Sequence, residues 1–359
     1  LYARGVELIQ TDPAQSAANL IQAISRNPAD AAAYAVLARI RESEGNIEAA
    51  GKAIETAARL APLRVDVQLE AGAFWMRRND PARAMPHFDV VLTYGGPLRS
   101  EIFPQLLALA EDPVSRQTTF SEIISQPLAW WPDFFTYAAG KAASVETVRA
   151  LAAIQSAGPN RMTPVGRRAF LQRLQRDGLW FEAYITWLNG LSREQSKLIG
   201  NLFNGDFEEA LSSTGFDWIV TPAPQVVIDT ASTYGAAGHK ALRVLFRGSR
   251  IQFQNLHQYL MLSPGNYALR GRVRPDNLET PEGVRWSIYC LGQTTPIANS
   301  EAFRGTDHWQ HFAIRFDVPA RDCMVQTIRL ELVGRSALDF VAKGNIWFDD
   351  MSISRRRLD

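Results

Sequence analysis

The stretch that decides the fold of the first half of the chain is AAAYAVLARIRESEGNIEAAGKAIETAARLAP, residues 31–62. Its apolar and small residues recur at helical spacing in two groups, Tyr34, Leu37 and Ala38 in the first and Ala50, Ile54 and Ala57 in the second. Gly45 and Asn46 supply a turn between the groups, and Pro62 closes the stretch. The pattern predicts two helices that are joined by a tight turn and packed closely through their alanines.

The same two-helix unit recurs on both sides of this stretch. The following unit begins at Val65, has a turn at 79–81 and ends its second helix near Val91. The preceding unit is visible mainly through its second helix, which follows a turn at 11–13. Both turns contain Asp followed by Pro, because Asp caps a coming helix and Pro suits the first helical position. A repeat of about 34 residues is therefore predicted from the start of the chain.

In length, small residues and closing proline, the repeat resembles the tetratricopeptide repeat. The resemblance is clear through residue 94, and a degenerate form of the pattern continues over 95–198. We therefore predict a tetratricopeptide-like helical repeat domain over 1–198. The resemblance implies an α-solenoid whose concave face binds a protein partner.

Near Gly200 the spacing changes from helical to alternating, with turn residues between the runs. About eight strands are predicted, at 226–228, 241–246, 251–262, 267–273, 284–291, 309–318, 327–333 and 345–353. No helical pattern separates them, which favours an antiparallel β-sandwich of jelly-roll type over 199–359. The predicted fold class is thus multidomain α + β, a helical solenoid followed by a sandwich.

Five short segments of the second half resemble a known family when they are taken in order. They are NLFNGDFE at 201–208, GHKALRV at 238–244, QYLMLSPGNYAL at 258–269, Trp309 with FDVP at 316–319, and WFDDMSI at 347–353. Together they resemble the galactose-binding-like jelly-rolls of carbohydrate-binding modules, in particular xylan- and glucan-binding modules. In that family the first segment is the opening strand.

The resemblance implies a glycan site in which aromatic rings pack on sugar faces and polar side chains orient the hydroxyls. The candidate residues are Trp218, Tyr234, Gln252, Gln254, Arg285 and Trp286, with Asn255, Tyr289 and Trp309 as further candidates. For each single aromatic residue the favoured alternative is core packing, and Trp309 in particular matches a buried position of the family. Trp286 and Tyr289 are an odd number of residues apart, so at most one of them lines a binding face.

The resemblance also implies a structural calcium ion between the first and last strands. The matching residues are Gly205, Glu208, Asp349 and Asp350, which offer the carboxylate and carbonyl oxygens that calcium prefers. The alternative is that the aspartates cap a strand edge and Glu208 is solvated. No other cofactor is expected.

Overall composition excludes some partners and leaves other questions open. The chain has 38 lysine and arginine residues and 37 acidic ones, a formal net charge of +1, which gives no basis for a nucleic-acid partner. No run of apolar residues is long enough to span a bilayer. Cys290 and Cys323 are either two buried thiols or one disulfide. The chain starts with Leu1, so we expect that upstream sequence was processed or trimmed, a removed signal or anchor being one form of this. The resemblance to bacterial repeat proteins implies a bacterial cell envelope or periplasm, with the cytoplasm as the alternative.

No catalytic motif emerges from the sequence, so we expect a non-catalytic scaffold. Its repeats would hold protein partners and its jelly-roll would recognise a polysaccharide, because similar bacterial repeat proteins serve in exopolysaccharide assembly or export. The first alternative is a purely protein-binding adaptor in which the jelly-roll is a structural cap. A second, weaker alternative is a glycoside hydrolase with a hidden carboxylate pair.

Overall fold

A computed structural model describes residues 2–8, 11–124, 127–158, 161–337 and 339–356 of the protein. Leu1 and Asp359, the ends of the two predicted domains, lie outside the described residues. The chain divides into two compact units, Leu1–Arg173 and Leu174–Asp359. The division falls inside a helix, upstream of the boundary that the sequence predicts at 198/199.

The first unit is built from helices that follow one another closely. They are α1 (Tyr2–Glu7), α2 (Pro13–Arg26), α3 (Ala31–Ser43), α4 (Ile47–Leu60), α5 (Val65–Met76), α6 (Pro81–Tyr94), α7 (Arg99–Glu111), α8 (Pro113–Ile123), α9 (Trp131–Lys141), α10 (Val145–Ala157) and α11 (Pro164–Arg176). A short 3₁₀ turn, Gly96–Leu98, joins α6 to α7. Consecutive helices pack as pairs, α1 with α2, α3 with α4 and α5 with α6, as the repeat pattern predicts.

Side-chain caps fix where these helices begin. The Asp12 carboxylate accepts a hydrogen bond from the Gln15 amide at 3.0 Å, and the Asp80 carboxylate accepts one from the Arg83 amide at 3.1 Å. In both cases a proline occupies the first turn of the helix, where a missing N–H leaves no bond unmade. The two Asp-Pro helix starts predicted from the sequence are confirmed.

Small residues bring the paired helices together. Ala38, Ala50 and Ala57 are buried in one cluster with Ile54 and Phe74, where they allow close approach of the helix backbones. In the next pair Gly72 has the same role, because a Cβ atom there would lie 2.4 Å from the ring of Phe88. Alanine and glycine at these positions therefore determine the spacing of the helices.

After the last residues of α11, the described part of the second unit contains two short helices and two antiparallel sheets. The helices are α12 (Trp180–Leu188) and α13 (Arg193–Ser196). Sheet A has the strand order β1 (Ile219–Val220), β4 (Leu256–Leu260), β9 (Gln326–Leu332), β6 (Val284–Cys290) and β7 (Ala298–Asn299). Sheet B has the order β2 (Val226–Ala231), β3 (Ala241–Arg250), β10 (Val341–Arg355), β5 (Gly265–Glu279) and β8 (Gln310–Val318).

The inner faces of the two sheets share one hydrophobic core. Trp286 from sheet A packs edge-on against Phe348 from sheet B, with ring centroids 5.1 Å apart. On the same strand Trp286 points inward and Tyr289 outward, as their odd separation predicts. The predicted antiparallel sandwich is confirmed.

Two of the segments that the sequence assigns to strands lie outside them. Residues 201–208 form turns, in which Asn204 and Phe207 have left-handed φ values of 49° and 55° that interrupt an extended strand. The buried Gln258 amide takes over the backbone pairing there, since it accepts from the Phe203 amide at 2.9 Å and donates to the Phe203 carbonyl at 3.0 Å. Residues 251–255 likewise precede β4 without joining it.

Helix α12 packs against the sandwich. Trp187 contacts the ring of Phe203 at 4.9 Å and that of Phe216 at 5.7 Å. Gly215 allows this approach, because a Cβ atom there would lie 2.3 Å from the Trp187 ring. By these contacts α12 forms part of the second compact unit, although the predicted boundary would assign it to the repeats.

The two cysteines form a disulfide that links the end of β6 to the connection before β9. Of the two alternatives left open by the sequence, the structure has the bonded one. Among the described residues no helix is both long and apolar enough to cross a membrane.

Candidate functional site

The outer face of sheet A carries a polar and aromatic surface. Because side chains alternate along a strand, β4, β6 and β9 each direct every second residue outward. The outward residues are His257 and Tyr259 on β4, Arg285, Ser287 and Tyr289 on β6, and Thr327, Arg329 and Glu331 on β9. We refer to these eight residues as the Glu331 face.

Glu331 is the centre of this face. Its side chain accepts hydrogen bonds from the hydroxyls of Ser287 at 2.5 Å and Tyr289 at 3.0 Å. The guanidinium groups of Arg285 and Arg329 donate to it at 3.2 Å and 3.0 Å. Glu331 is only 7% exposed, so these donors replace water around a charge that would otherwise be costly to bury.

The charge state of Glu331 follows from these neighbours. Burial alone would raise the pKa of the carboxyl group, but the hydrogen bonds from Ser287 and Tyr289 and the charge of Arg329 lower it below its ordinary value. Glu331 is therefore ionised near neutral pH and holds both arginines in fixed positions. The arginines form the layer that faces solvent, with side chains 30% and 25% exposed.

Aromatic rings flank the arginines. Arg329 lies over the ring of Tyr289 at 4.4 Å and donates to the side-chain oxygen of Gln254 at 3.1 Å. Tyr259 contacts His257 on one side, at 5.1 Å between centroids, and Trp180 of α12 at 4.9 Å. Burial, followed by the charge of Arg329, lowers the pKa of His257 to about 4, so this histidine is neutral near pH 7.

Three of the candidate residues from the sequence meet on this face. Arg285 and Tyr289 belong to it, and Gln254 lies beside it through its bond to Arg329. The sequence reasoning did not identify His257, Tyr259, Arg329 or Glu331. The alternation within 256–260 and 326–332 was the available signal, since it separates inward from outward residues on both strands.

The prediction of a glycan-binding role is wrong for two residues, because both lie in the core. Trp218 and Trp286 are 0% exposed, and their rings contact each other at 5.4 Å. The Trp218 indole N–H donates to the backbone carbonyl of Asn204 at 3.0 Å, which satisfies its one polar group inside the sandwich. Neither ring can stack on a sugar.

The remaining candidates lie elsewhere. Tyr234 is 93% exposed in the β2–β3 connection, and Gln252 is exposed in the segment before β4. Asn255 donates to the Thr221 carbonyl at 2.8 Å. Trp309, for which core packing was favoured, is half-buried and lies just before β8, where it contacts arginines of sheet B.

Glu208 and Asp349, two of the predicted calcium ligands, accept hydrogen bonds from backbone N–H groups. Glu208 accepts from the amides of His239 at 2.6 Å and Lys240 at 3.0 Å. Asp349 is buried, and it accepts from the amide of Ala237 at 2.6 Å. Both carboxylates therefore tie down the connection between β2 and β3.

The other two predicted calcium ligands do not complete an oxygen cage. The Gly205 carbonyl accepts from the Met351 amide at 2.8 Å, and the Asp350 amide donates to Asp349 at 2.7 Å. Within the described ranges no three His, Cys, Asp or Glu side chains converge on one point. As arranged here, these residues fit backbone N–H donors better than a cation, and calcium binding stays a prediction.

The first unit has a groove of its own beside α4. It has a volume of about 1140 Å³ and is lined by α4 side chains together with Trp75 and Arg83. The Trp75 indole donates to Glu55 at 2.7 Å, and Arg83 lies over its ring at 4.5 Å. The groove therefore presents a partly exposed indole between charged groups.

Comparison with known proteins gives distant structural matches only. No family model and no curated protein matches the chain. A family 4 carbohydrate-binding module is 15% identical, with a TM-score of 0.33, over 43% of this chain and 99% of its own. A protein described as sugar-binding, from Bacteroides thetaiotaomicron, is 14% identical, with a TM-score of 0.33, over 44% of this chain and 100% of its own. A family 61 carbohydrate-binding module in complex with β-1,4-galactotriose is 15% identical, with a TM-score of 0.30, over 44% of this chain and 100% of its own. Such identities and scores are too low to indicate a shared ligand.

Proposed function

We propose that this protein is a non-catalytic binding protein whose sandwich recognises a glycan through the Glu331 face. The observation that carries the proposal is the buried Glu331, which holds two partly exposed arginines in place beside tyrosine rings. Fixed donors next to aromatic surface suit sugar hydroxyls, because their orientation is set before the ligand arrives. The order of family-like segments along the sandwich supports the same class of ligand.

The chemistry of the face supports binding without catalysis. Hydrolysis of a glycosidic bond commonly uses two carboxylates on either side of the bond. Of the eight outward residues of the Glu331 face only Glu331 is acidic, and its pKa is lowered, so it is unsuited to donate a proton. The face offers donors for recognition.

We further propose that the helical pairs form a tetratricopeptide-like solenoid that binds a protein partner. The groove with Trp75 supports this proposal, since it joins an indole to charged side chains on a helical surface. Pairing a partner-binding unit with a glycan-binding one suits exopolysaccharide assembly or export in a bacterial envelope.

A protein-binding adaptor with a structural sandwich is the second candidate. It is favoured by Trp180, whose ring covers part of Tyr259 and so removes some aromatic surface from the Glu331 face. In that case the Glu331 network would serve the stability of sheet A alone.

Glycan binding by the full-length chain separates the two functions. We expect binding to at least one uncharged polysaccharide on an array, and a loss of about tenfold in affinity for it in Arg329→Ala, because a charge-assisted donor is removed. Arg315→Ala, on an exposed position of sheet B, is the matched control and should bind as the wild type does. Absence of binding to any glycan at millimolar concentration would favour the adaptor.

A further inference from the structure

The connection between β2 and β3, residues 232–240, lies against the outer face of sheet B and is held there at many points. Its tethers are Trp309 Nε1 to the Tyr234 carbonyl (2.9 Å), Arg272 to the Gly235 carbonyl (2.8 Å), Arg274 to the Thr233 hydroxyl (2.6 Å), and the amides of Ala237, His239 and Lys240 to Asp349 and Glu208. A surface connection with this many bonds is ordered before any ligand binds. We call it the 232–240 loop.

The loop lies beside a row of alternating arginines and tryptophans. Trp347 on β10 is opposite Arg243 on β3 and Arg274 on β5. Arg274 lies 5.4 Å from the Trp347 ring and 5.5 Å from the Trp309 ring, and Arg272 lies 5.0 Å from Trp309. Stacking on indole rings fixes the planes of these guanidinium groups without neutralising them.

Two of these arginines have no carboxylate in direct contact. Arg243 is paired with Asp229 at 2.6 Å. Arg272 and Arg274 make no ion pair within the part of the chain that the structure describes, and the oxygens that hold them belong to a carbonyl and a hydroxyl. Asp349 lies opposite Arg272 in the strand register and interacts with its charge, but the hydrogen bonds that its carboxylate accepts come from backbone amides. Each arginine therefore has N–H donors left for an anion.

The 232–240 loop carries an exposed aromatic residue, whose backbone lies beside Trp309. Tyr234 is 93% exposed, yet its backbone carbonyl is bonded to Trp309. The next residue, Gly235, has φ 77° and lies so close to Trp309 that a Cβ atom would be 2.8 Å from the indole, so glycine is required there. A large exposed aromatic residue on a tethered loop costs little entropy on binding, since its backbone is already fixed.

We propose that Tyr234, Arg272 and Arg274 form a second ligand site, which binds a carboxylated glycan such as a polyuronate. A sugar ring packs on Tyr234, and its carboxylate accepts hydrogen bonds from Arg272 and Arg274. A carboxylate matches the planar donor fork of arginine, and two such forks lie two residues apart on one face of β5. This site is on the opposite sheet from the Glu331 face, so it stands whether or not that face binds a glycan.

Titration of the full-length chain with polygalacturonate tests the proposal. We expect measurable binding that weakens as NaCl is raised from 50 to 500 mM, because the carboxylate contacts are partly screened. The double variant Arg272→Gln/Arg274→Gln should lose at least about tenfold in affinity. Tyr234→Ala should lose about threefold or more, through the ring contact alone.

Controls separate this site from general charge, from misfolding and from the first proposed site. Arg315→Gln removes one positive charge from the outer face of sheet B, away from the proposed site. Arg315 is about 13 Å along β8 from His311, which is paired with Arg272. This variant should bind polygalacturonate within twofold of the wild-type affinity. Tyr234→Ala removes an exposed side chain for which the described residues show no hydrogen bond, so this variant should fold even if the arginine variant is unstable. Arg329→Ala, on the Glu331 face, should leave polygalacturonate binding intact.

Three results would overturn the proposal. They are no binding at millimolar uronate, equal weakening by Arg315→Gln and the double variant, and unchanged affinity in Tyr234→Ala. If Arg329→Ala abolished polygalacturonate binding while Tyr234→Ala left it intact, the ligand would belong to the Glu331 face and the second site would be wrong.

Discussion

The two outer faces of the sandwich both present arginines beside aromatic rings, but they hold them differently. On sheet A a buried carboxylate lies beneath Arg285 and Arg329 and shares its charge between them. On sheet B indole rings and neutral oxygens hold Arg272 and Arg274, and neither guanidinium is in direct contact with a carboxylate among the described residues. The same residue type can thus be an oriented donor for hydroxyls or a receptor for anions. Its nearest neighbour decides which.

The largest expected effect is a loss of stability when the carboxylate that binds an arginine is removed, and its size should differ between sheet A and sheet B. Glu331→Ala should lower the free energy of unfolding by about 3 kcal/mol, because it leaves two partly buried arginines without their counter-charge. Its counterpart on sheet B, Asp229→Ala, should cost less than about 1 kcal/mol, since that ion pair with Arg243 is about one-third exposed. Urea unfolding measures both. Equal losses would show that the Glu331 network is no more demanding than a surface ion pair.

Reduction of the disulfide should lower the stability of the sandwich and disturb sheet A more than sheet B. Cys290 ends β6 and Cys323 precedes β9, the two strands that carry Glu331 and most of its donors. Closing a loop with a sequence separation of 33 restricts the unfolded chain, so reduction should lower stability by about 2–3 kcal/mol. Glycan binding on sheet A should weaken while polygalacturonate binding on sheet B persists. If both weaken together, the two faces do not respond independently.

A residue of sheet A, His257, should make the stability of the protein depend on pH. The pKa of His257 is about 4 in the folded protein, against 6.5 in the unfolded chain. Between these values the unfolded state binds a proton that the folded state does not, so stability falls as the pH is lowered. At pH 5 this costs roughly 2 kcal/mol relative to neutral pH.

A variant pair isolates that contribution. His257→Gln should show a smaller difference in unfolding free energy between pH 7 and pH 5, and His311→Gln, exposed on sheet B, is the matched control. An unchanged difference in His257→Gln would assign the acid sensitivity to other groups.

The smallest expected effect concerns the 232–240 loop. Glu208→Gln should lower stability by about 1 kcal/mol, because a neutral amide oxygen is a weaker acceptor for the His239 and Lys240 amides. EDTA should leave the Tm of the wild type unchanged if this tether is the whole role of Glu208. A drop in Tm with EDTA that calcium restores would instead support the calcium predicted from the sequence.

Local patterns predicted the elements of this fold well. Features that depend on residues close in sequence are present in the structure. They are the Asp-Pro starts of α2 and α6, the alanines between α3 and α4, and the turn at Gly45 and Asn46. The strands of the sandwich follow from alternation for the same reason. At 201–208 the prediction was wrong, because the backbone there pairs with Gln258, more than fifty residues away.

The candidate site was harder to predict, because a site is defined by which strands are neighbours. Sequence alone did not place β6 beside β9, and this pairing brings Ser287 and Tyr289 to Glu331. Trp218 and Trp286 were chosen for their chemistry, but large apolar rings are the residues that a sandwich core needs most. Alternation had already indicated that Trp286 and Tyr289 face opposite ways, although it could not say which one faces the core.

The docking of α12 on the sandwich also determines where this protein can be cut. A fragment that starts at residue 199 would lose Trp187 and expose the rings of Phe203 and Phe216 to water. A fragment that starts at Leu174 keeps that indole in place, together with the Trp180 ring on Tyr259. The smallest stable fragment that contains the sandwich is therefore expected to comprise α12 and both sheets. A transfer of this module to another chain would have to include the helix.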